Sequence, residues 1–227
     1  MTVGGENVKR RLIAAGAGGL AVLVAALAAP SGAQRGYFAA TLAPALLALV
    51  LPFGLPVERN ARADALLPLA SGLATMIALA GFCAVDPGIG NLLGAAVFFV
   101  SWAILITGLF RAGARWGAAA GHLAAGGAGL FLCATHLLFD PIVAAAQNTA
   151  FRRFAISFAV DSNPSLILSA AFWQRDLLMT SYVYVRSDIG GFHPHAYAAW
   201  GWVAAAYSAV GVAGWLVGKR RAEEAVE

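Results

Sequence analysis

The sequence is poor in charge. Only 11% of its 227 residues are charged while 60% are hydrophobic, and the mean hydropathy is +0.76. This composition argues against a disordered chain and against a soluble globular domain. The net charge of +4 is spread between apolar runs instead of forming one basic face, so nucleic acid is not expected as a partner.

Signatures of common enzymes and metal modules are also missing. The two cysteines, Cys83 and Cys133, form no Cys-x2-Cys pair and no finger spacing, which argues against a disulfide scaffold and a zinc finger. The sequence contains no phosphate loop, dinucleotide fingerprint, His-Glu-x-x-His motif or Gly-x-Ser-x-Gly elbow. Whether the protein is an enzyme is therefore left open, with a membrane-embedded enzyme acting on lipid as one alternative.

Long apolar runs are abundant. Several approach the length of about 20 residues that a helix needs to cross the hydrocarbon core. They cover about residues 12–30, 37–55, 65–85, 91–110, 117–139 and 195–218. A helix satisfies its own backbone polar groups in lipid, and the alternation typical of a membrane barrel is missing. The predicted fold is an all-α integral membrane protein: a six-helix transmembrane bundle, a single domain over residues 1–227, with a helical outer-face segment at 140–194 between the fifth and sixth spans.

The distribution of lysine and arginine predicts the orientation of the spans. One side of the predicted bundle has the larger share of the 15 basic residues: Lys9, Arg10, Arg11, Arg59, Arg62, Arg111, Arg115, Lys219, Arg220 and Arg221. By the positive-inside rule this side is cytoplasmic, so we expect a multi-pass protein of the inner (cell) membrane with both termini in the cytoplasm. In an alternative interpretation the first run is a cleaved signal peptide, which would leave the other spans oriented as before.

The segment at 140–194 is the longest connection and the place where we expect function. Its first part, 142–160, is apolar but interrupted by Arg152 and Arg153, which is typical of an interfacial helix. Residues 161–164, Asp-Ser-Asn-Pro, predict a turn followed by a helix start.

The second part of this segment, 165–185, predicts a helix packed on or partly into the outer face. Ser169, Asp176 and Thr180 would lie on one stripe of a continuous helix, facing protein or a water-filled cavity. In the alternative, this helix spans the membrane, which gives seven spans and an external C-terminus.

The four histidines are the most informative residues. His136 lies near the outer end of the fifth run, with Asp140 at i+4 on the same helical face, and His193 and His195 flank Pro194 just before the last run. Imidazole nitrogen and carboxylate oxygen are the ligands that zinc, copper or iron accept. The sequence therefore predicts a metal site of His136, Asp140, His193 and His195 at the outer face. The alternative is that these are ordinary interfacial residues and that His136 bonds a neighbouring helix.

Two of the same histidines could instead ligate the iron of a haem b group. His136 and His195 could supply its two axial imidazoles. His122 shares a helical face with His136, but the inner half contains no other histidine to pair with it, so a two-haem arrangement is excluded.

A polar pocket for a solute or lipid is a separate hypothesis. Arg152, Arg153, Arg175 and Asp176 could form its wall, because the planar guanidinium group binds carboxylate and phosphate. The alternative is that these charges are solvated or face headgroups.

Three functional hypotheses follow. In the first, the protein is the membrane subunit of a larger redox or metal-handling complex, with the lipid bilayer and other membrane subunits as partners and a transition metal or haem b as cofactor. In the second, it is a transporter or a solute-binding membrane component. In the third, it is a membrane assembly or scaffold protein without a ligand.

Overall fold

The chain is all-helical wherever its structure is described. The computed structural model describes residues 3–28, 35–55, 61–82, 89–174, 178, 189 and 196–224. These residues contain no strand, which confirms the predicted all-α class. The helices are α1 (Val3–Ala28), α2 (Arg35–Gly54), α3 (Ala61–Phe82), α4 (Ile89–Ala114), α5 (Ala118–Ala145), α6 (Thr149–Asp161), α7 (Pro164–Trp173) and α8 (Trp200–Glu224).

Several of these helices can cross a membrane. In the described part of the chain, four are long and apolar enough, namely Asn7–Ala28, Gly90–Ala114, Ala118–Ala145 and Trp200–Gly218. The pair α6 and α7 passes the same test together but is bent by 71°, which raises the number to five if the pair is one span. The apolar parts of α2 and α3 are shorter. Each predicted span falls on a helix, but the number of six crossings stays a prediction.

Helix α4 is the centre of the bundle. Of the four spans, α4 has the largest buried share, 61%, whereas α5 has only 17%. Phe98, Trp102 and Phe110 of α4 are fully buried, and the Trp102 indole Nε1 donates a hydrogen bond to the Pro44 carbonyl oxygen of α2 at 3.0 Å. Helix α4 packs against α2, α3, α5, α7 and α8, so it links the elements of the bundle.

Glycines allow the backbones of α4 and α8 to touch. A Cβ atom placed on Gly108 would lie 1.9 Å from the carbonyl oxygen of Gly211, and one placed on Gly211 would lie 2.5 Å from the carbonyl oxygen of Ile104. Any larger residue would force the two helices apart. Such small-residue contacts are typical of helix packing in membranes, where dispersion forces and hydrogen bonds replace the hydrophobic effect.

The helix ends meet in two groups, one at each end of the bundle. Gly54 lies against Ala14, and Gly218 lies against Arg111. The rings of Phe53 and Phe110 both pack against His122, so the start of α1 and the ends of α2, α4 and α8 meet at one end of the bundle. We call this the basic end, because the described residues there include Lys9, Arg10, Arg11, Arg111 and Arg115. At the other end, Gly94 near the start of α4 lies against Phe172 of α7.

The segment predicted to lie on the outer face differs from expectation in its helix boundaries. The predicted turn at 161–164 is confirmed, because α6 ends at Asp161 and α7 begins at Pro164. The predicted continuous helix over 165–185 is wrong, since α7 ends at Trp173 and Gln174 has a left-handed backbone with φ of 50°. The predicted polar stripe required that helix to continue. Asp176 and Thr180, its other two members, lie outside the described residues.

Candidate functional site at the α6–α7 corner

Asn163 is the hub of a buried polar cluster where α6 turns into α7. The side chain is fully buried and is the N-cap of α7, with its Oδ1 atom accepting hydrogen bonds from the Ser165 and Leu166 backbone N–H groups at 3.0 and 3.2 Å. Its Nδ2 atom donates to the Cys133 carbonyl oxygen of α5 at 2.8 Å. The Asn163 amide therefore caps the start of α7 and joins the corner to α5.

Hydroxyl groups attach the same corner to three other helices. Thr135 of α5 donates to the Ala159 carbonyl oxygen of α6 at 2.6 Å, and Ser165 of α7 donates to the Thr41 carbonyl oxygen of α2 at 2.6 Å. Tyr207 of α8 donates from its phenol to the Ser162 carbonyl oxygen at 2.7 Å. Hydrogen bonds therefore join the corner to α2, α5 and α8.

His136 is held by the same asparagine. Its Nδ1 atom lies 3.0 Å from Asn163 Nδ2. The Asn163 oxygen is already used by two N–H donors, which fixes the amide orientation, so Nδ1 of His136 is the acceptor in this contact. In the neutral ring the proton therefore lies on Nε2. His136 is predicted to bind a metal or haem iron. Binding through Nε2 would break this hydrogen bond, because Nδ1 would then carry the proton toward the amide donor.

Asp140 and Asp161 bind two backbone N–H groups from the later part of the chain. The Asp140 Oδ1 atom accepts the Ile189 backbone N–H at 2.9 Å, and the Asp161 Oδ1 atom accepts the Ala198 backbone N–H at 2.9 Å. Ile189 is buried in a small apolar cluster with Val143 and Val160. The two carboxylates therefore fix points on either side of the stretch that contains His193 and His195. Those two histidines lie outside the described residues.

The predicted polar pocket is described only in its first half. Arg152 is half-buried and donates from its guanidinium to the Ala146 carbonyl oxygen, at the end of α5, whereas Arg153 is exposed. Arg152 thus satisfies a terminal carbonyl of a helix. Arg175 and Asp176 lie outside the described residues, so the pocket stays a prediction.

The metal site is likewise described only in part. Within the described ranges, no three side chains of His, Cys, Asp or Glu come together as a metal-binding group. Of the four predicted ligands, the structure describes His136 and Asp140. Both are half-buried; His136 contacts Asn163 at the α6–α7 corner, and Asp140 accepts the Ile189 backbone N–H.

Sequence reasoning missed most of this cluster. The sequence Asp-Ser-Asn-Pro indicated the helix start at Pro164, but nothing in it indicated that Asn163 also bonds residues 27 and 30 positions away. Thr135 and Tyr207 gave no signal, because single polar residues on apolar helices are common. A polar residue next to a helix-starting proline within an apolar segment was the only available clue.

The described part of the chain is all-helical, and its four apolar helices of spanning length, or five if α6 and α7 form one span, indicate a membrane protein. Comparison of the chain with known protein families, with characterised proteins and with solved structures finds no match.

Proposed function

We propose that the protein is a membrane subunit that binds a transition-metal ion at the α6–α7 end of the bundle, as part of a larger redox or metal-handling assembly. The observation that supports this proposal is the pair of carboxylate anchors. Asp140 and Asp161 hold Ile189 and Ala198, so the stretch with His193 and His195 begins and ends beside Asp140, His136 and the corner.

The proposed topology is the one that the basic residues favour. Helices α1, α2, α3, α4, α5 and α8 cross the inner membrane, the basic end faces the cytoplasm, and both termini are cytoplasmic. In this topology α6 is an interfacial helix of the outer leaflet. Phe151, Phe154 and Phe158 are exposed on one face of α6, where they would contact acyl chains, while Arg153 would reach headgroups.

The proposed ligands are His193, His195 and the second carboxylate oxygen of Asp140. The Asp140 carboxylate accepts the Ile189 backbone N–H through Oδ1, and carboxylate oxygen is a ligand type that zinc accepts. His136 contributes from outside this ligand set, as an Nε2–H donor that its Asn163 contact orients. In an alternative form of this proposal, His136 and His195 ligate a haem b group, and His136 gives up its contact with Asn163.

Metal analysis of the detergent-purified protein tests the proposal. Zinc, copper or iron at about one ion per chain is the expected result for the wild type. His193→Ala and His195→Ala are expected to lose that metal, whereas the protein remains folded by circular dichroism. An absorption spectrum on the same samples tests haem, since haem b ligated by two imidazoles gives an intense Soret band.

Two matched carboxylate variants sharpen this test. Asp140→Asn and Asp161→Asn each retain an acceptor for the backbone N–H while removing a negative charge. The proposal predicts at least about a tenfold weaker affinity for added zinc in Asp140→Asn, in line with the loss of a direct ligand or its close support. It predicts wild-type affinity in Asp161→Asn. A wild-type protein that neither contains metal nor takes up added zinc contradicts the proposal.

The second candidate is an assembly protein without a ligand. The observation that favours it is that Asn163, Thr135 and Tyr207 use their polar atoms in contacts within the protein, so the cluster fastens a corner without needing a bound group. This candidate predicts that membrane partners co-purify with the protein and that changing all four histidines leaves the partner set unchanged.

A further inference from the structure

His122 of α5 lies between two aromatic rings at the basic end of the bundle. The Phe53 ring of α2 stacks on the imidazole, with ring centroids 4.8 Å apart and planes inclined by 20°. The Phe110 ring of α4 packs against the imidazole with a centroid distance of 5.2 Å. Phe110 is fully buried, whereas Phe53 is 67% exposed. The imidazole therefore lies at the boundary between the interior of the bundle and its surface.

Neither ring nitrogen of His122 has a hydrogen-bond partner in the described part of the chain. Nδ1 is buried, and the residue as a whole is half-buried, so Nε2 is the nitrogen that reaches the surface. A polar group without a partner is unfavourable in apolar surroundings. The π-helical turn Leu123–Gly127 begins at the next residue, and such turns are frequent at functional sites. With its proton on Nε2, the neutral imidazole offers an unused donor to a bound molecule.

The depth of His122 in the membrane restricts what can accept this hydrogen bond. Arg115 stacks on Trp116, with its guanidinium carbon 3.5 Å from the ring centroid, a pairing suited to the membrane interface. Phe110, whose ring touches the imidazole, lies about 7 Å before Arg115 along α4. His122 is therefore inside the hydrocarbon, below the level of the lipid ester carbonyls, where water is scarce. The acceptor must belong to a molecule that dissolves in the hydrocarbon core.

The arrangement of the rings favours a flat acceptor. A carbonyl oxygen that accepts the Nε2 proton lies close to the plane of the imidazole, because the hydrogen bond is nearly linear. A flat molecule bound through this oxygen can lie roughly parallel to the Phe53 ring, since that ring and the imidazole are nearly parallel. Leu123 is 75% exposed next to His122 and can contact a hydrocarbon tail. A planar apolar ring with a carbonyl at its edge and a long tail, the chemistry of a lipophilic quinone, meets these conditions.

We propose that His122 binds the headgroup of a lipophilic quinone from the leaflet at the basic end. One quinone carbonyl accepts a hydrogen bond from Nε2, the quinone ring lies beside Phe53, and the tail extends past Leu123 into the hydrocarbon. The proposal concerns binding alone and does not depend on the metal site.

Titration of the protein in phosphatidylcholine nanodiscs with decylubiquinone, a short-tailed quinone, tests the proposal. Quinones quench tryptophan fluorescence, and the quinone is counted per lipid, so its partition into the bilayer is the same for every variant. We expect saturable quenching in the wild type. His122→Phe keeps an aromatic ring between Phe53 and Phe110 but removes the donor. Half-saturation of this variant should require about fivefold more quinone, the value of one ordinary hydrogen bond.

Two further variants complete the experiment. Phe53→Leu changes an exposed side chain, so the protein should stay folded, and loss of the aromatic contact should raise half-saturation about threefold. Phe131→Leu is the matched control, because Phe131 is also an exposed aromatic residue but lies about 14 Å further along α5. This control should leave half-saturation unchanged, and thermal unfolding reports that each variant is folded.

A second probe tests the need for a carbonyl. Decylbenzene has the same tail and an aromatic ring but no carbonyl, so an excess of it should not displace decylubiquinone. Displacement by decylbenzene overturns the proposal, and so does quenching that does not saturate in the wild type. Equal half-saturation in the wild type, His122→Phe and Phe53→Leu also overturns it, as expected if ester carbonyls of the nanodisc lipid already satisfy the imidazole.

Discussion

At the scale of single residues, Asn163 is the side chain on which most of the polar corner depends. It caps α7, bonds the backbone of α5 and orients His136, and all of its polar atoms are buried. Asn148 has the same capping role at the start of α6, where its Oδ1 atom accepts the Ala150 and Phe151 N–H groups, but it is exposed, and these side-chain hydrogen bonds stay within its own helix. Comparing the two asparagines therefore separates the contribution of a helix cap to stability from the contribution of a tertiary hydrogen bond.

Replacing these asparagines by alanine should therefore have unequal effects. Asn163→Ala is expected to lower the free energy of unfolding by about 2–4 kcal/mol, because it removes the cap and leaves buried partners unsatisfied. Asn148→Ala should cost only about 1 kcal/mol, the usual value of an exposed N-cap. Reversible unfolding in mixed detergent micelles measures both. Equal losses in the two variants would contradict the role of Asn163 as the tertiary hub.

At the scale of secondary structure, the sequence predicted where helices lie better than where they end. Apolar runs mark helices because lipid leaves the backbone few alternatives. No glycine or proline in the sequence indicates that α7 ends at Trp173, since the left-handed residue that follows is Gln174. The π-helical turn at Leu123–Gly127 inside α5 was equally invisible, because it changes the hydrogen-bond register and not the composition.

The sequence also does not predict that α4 packs against α8. The two helices are separated by more than 80 residues, and the alanine and glycine of such helices are too common to indicate which surfaces meet. What the structure adds is the direct backbone contact at Gly108 and Gly211. The same holds for the candidate site, where the sequence indicates His136 and Asp140 but not the asparagine, threonine and tyrosine around them.

Two glycines of α8 provide a matched test of this helix pair. Gly211→Ala puts a Cβ atom against the Ile104 carbonyl, so we expect it to destabilise the protein by about 1–3 kcal/mol through overpacking. Gly201→Ala meets nothing within 4 Å and should be neutral or stabilising by up to about 1 kcal/mol, because alanine is the better helix former. The same unfolding assay applies. A tolerated Gly211→Ala would show that α4 and α8 do not pack as described.

At the scale of the whole molecule, the surface fits a bilayer. Large apolar side chains point outward from several helices, including Ile77 at 69% exposure, Leu123 at 75% and Trp202 at 78%. On a water-soluble protein a surface of this kind would promote aggregation, whereas lipid covers it. The described cations also divide unevenly, with Arg152 and Arg153 at the corner end and a larger group at the basic end. The two ends of α5, which carry Trp116 and Gln147 just outside the helix, should therefore lie on opposite sides of the membrane.

Cysteine labelling in intact cells tests this arrangement most directly. In a background of Cys83→Ser and Cys133→Ser, single cysteines replace Gln147 at the corner end and Trp116 at the basic end, both of which are exposed positions. With a membrane-impermeant maleimide, we expect labelling of Gln147→Cys in intact cells and labelling of Trp116→Cys only after the membrane is opened. Labelling of both positions from the same side, or of Trp116→Cys alone in intact cells, would contradict it.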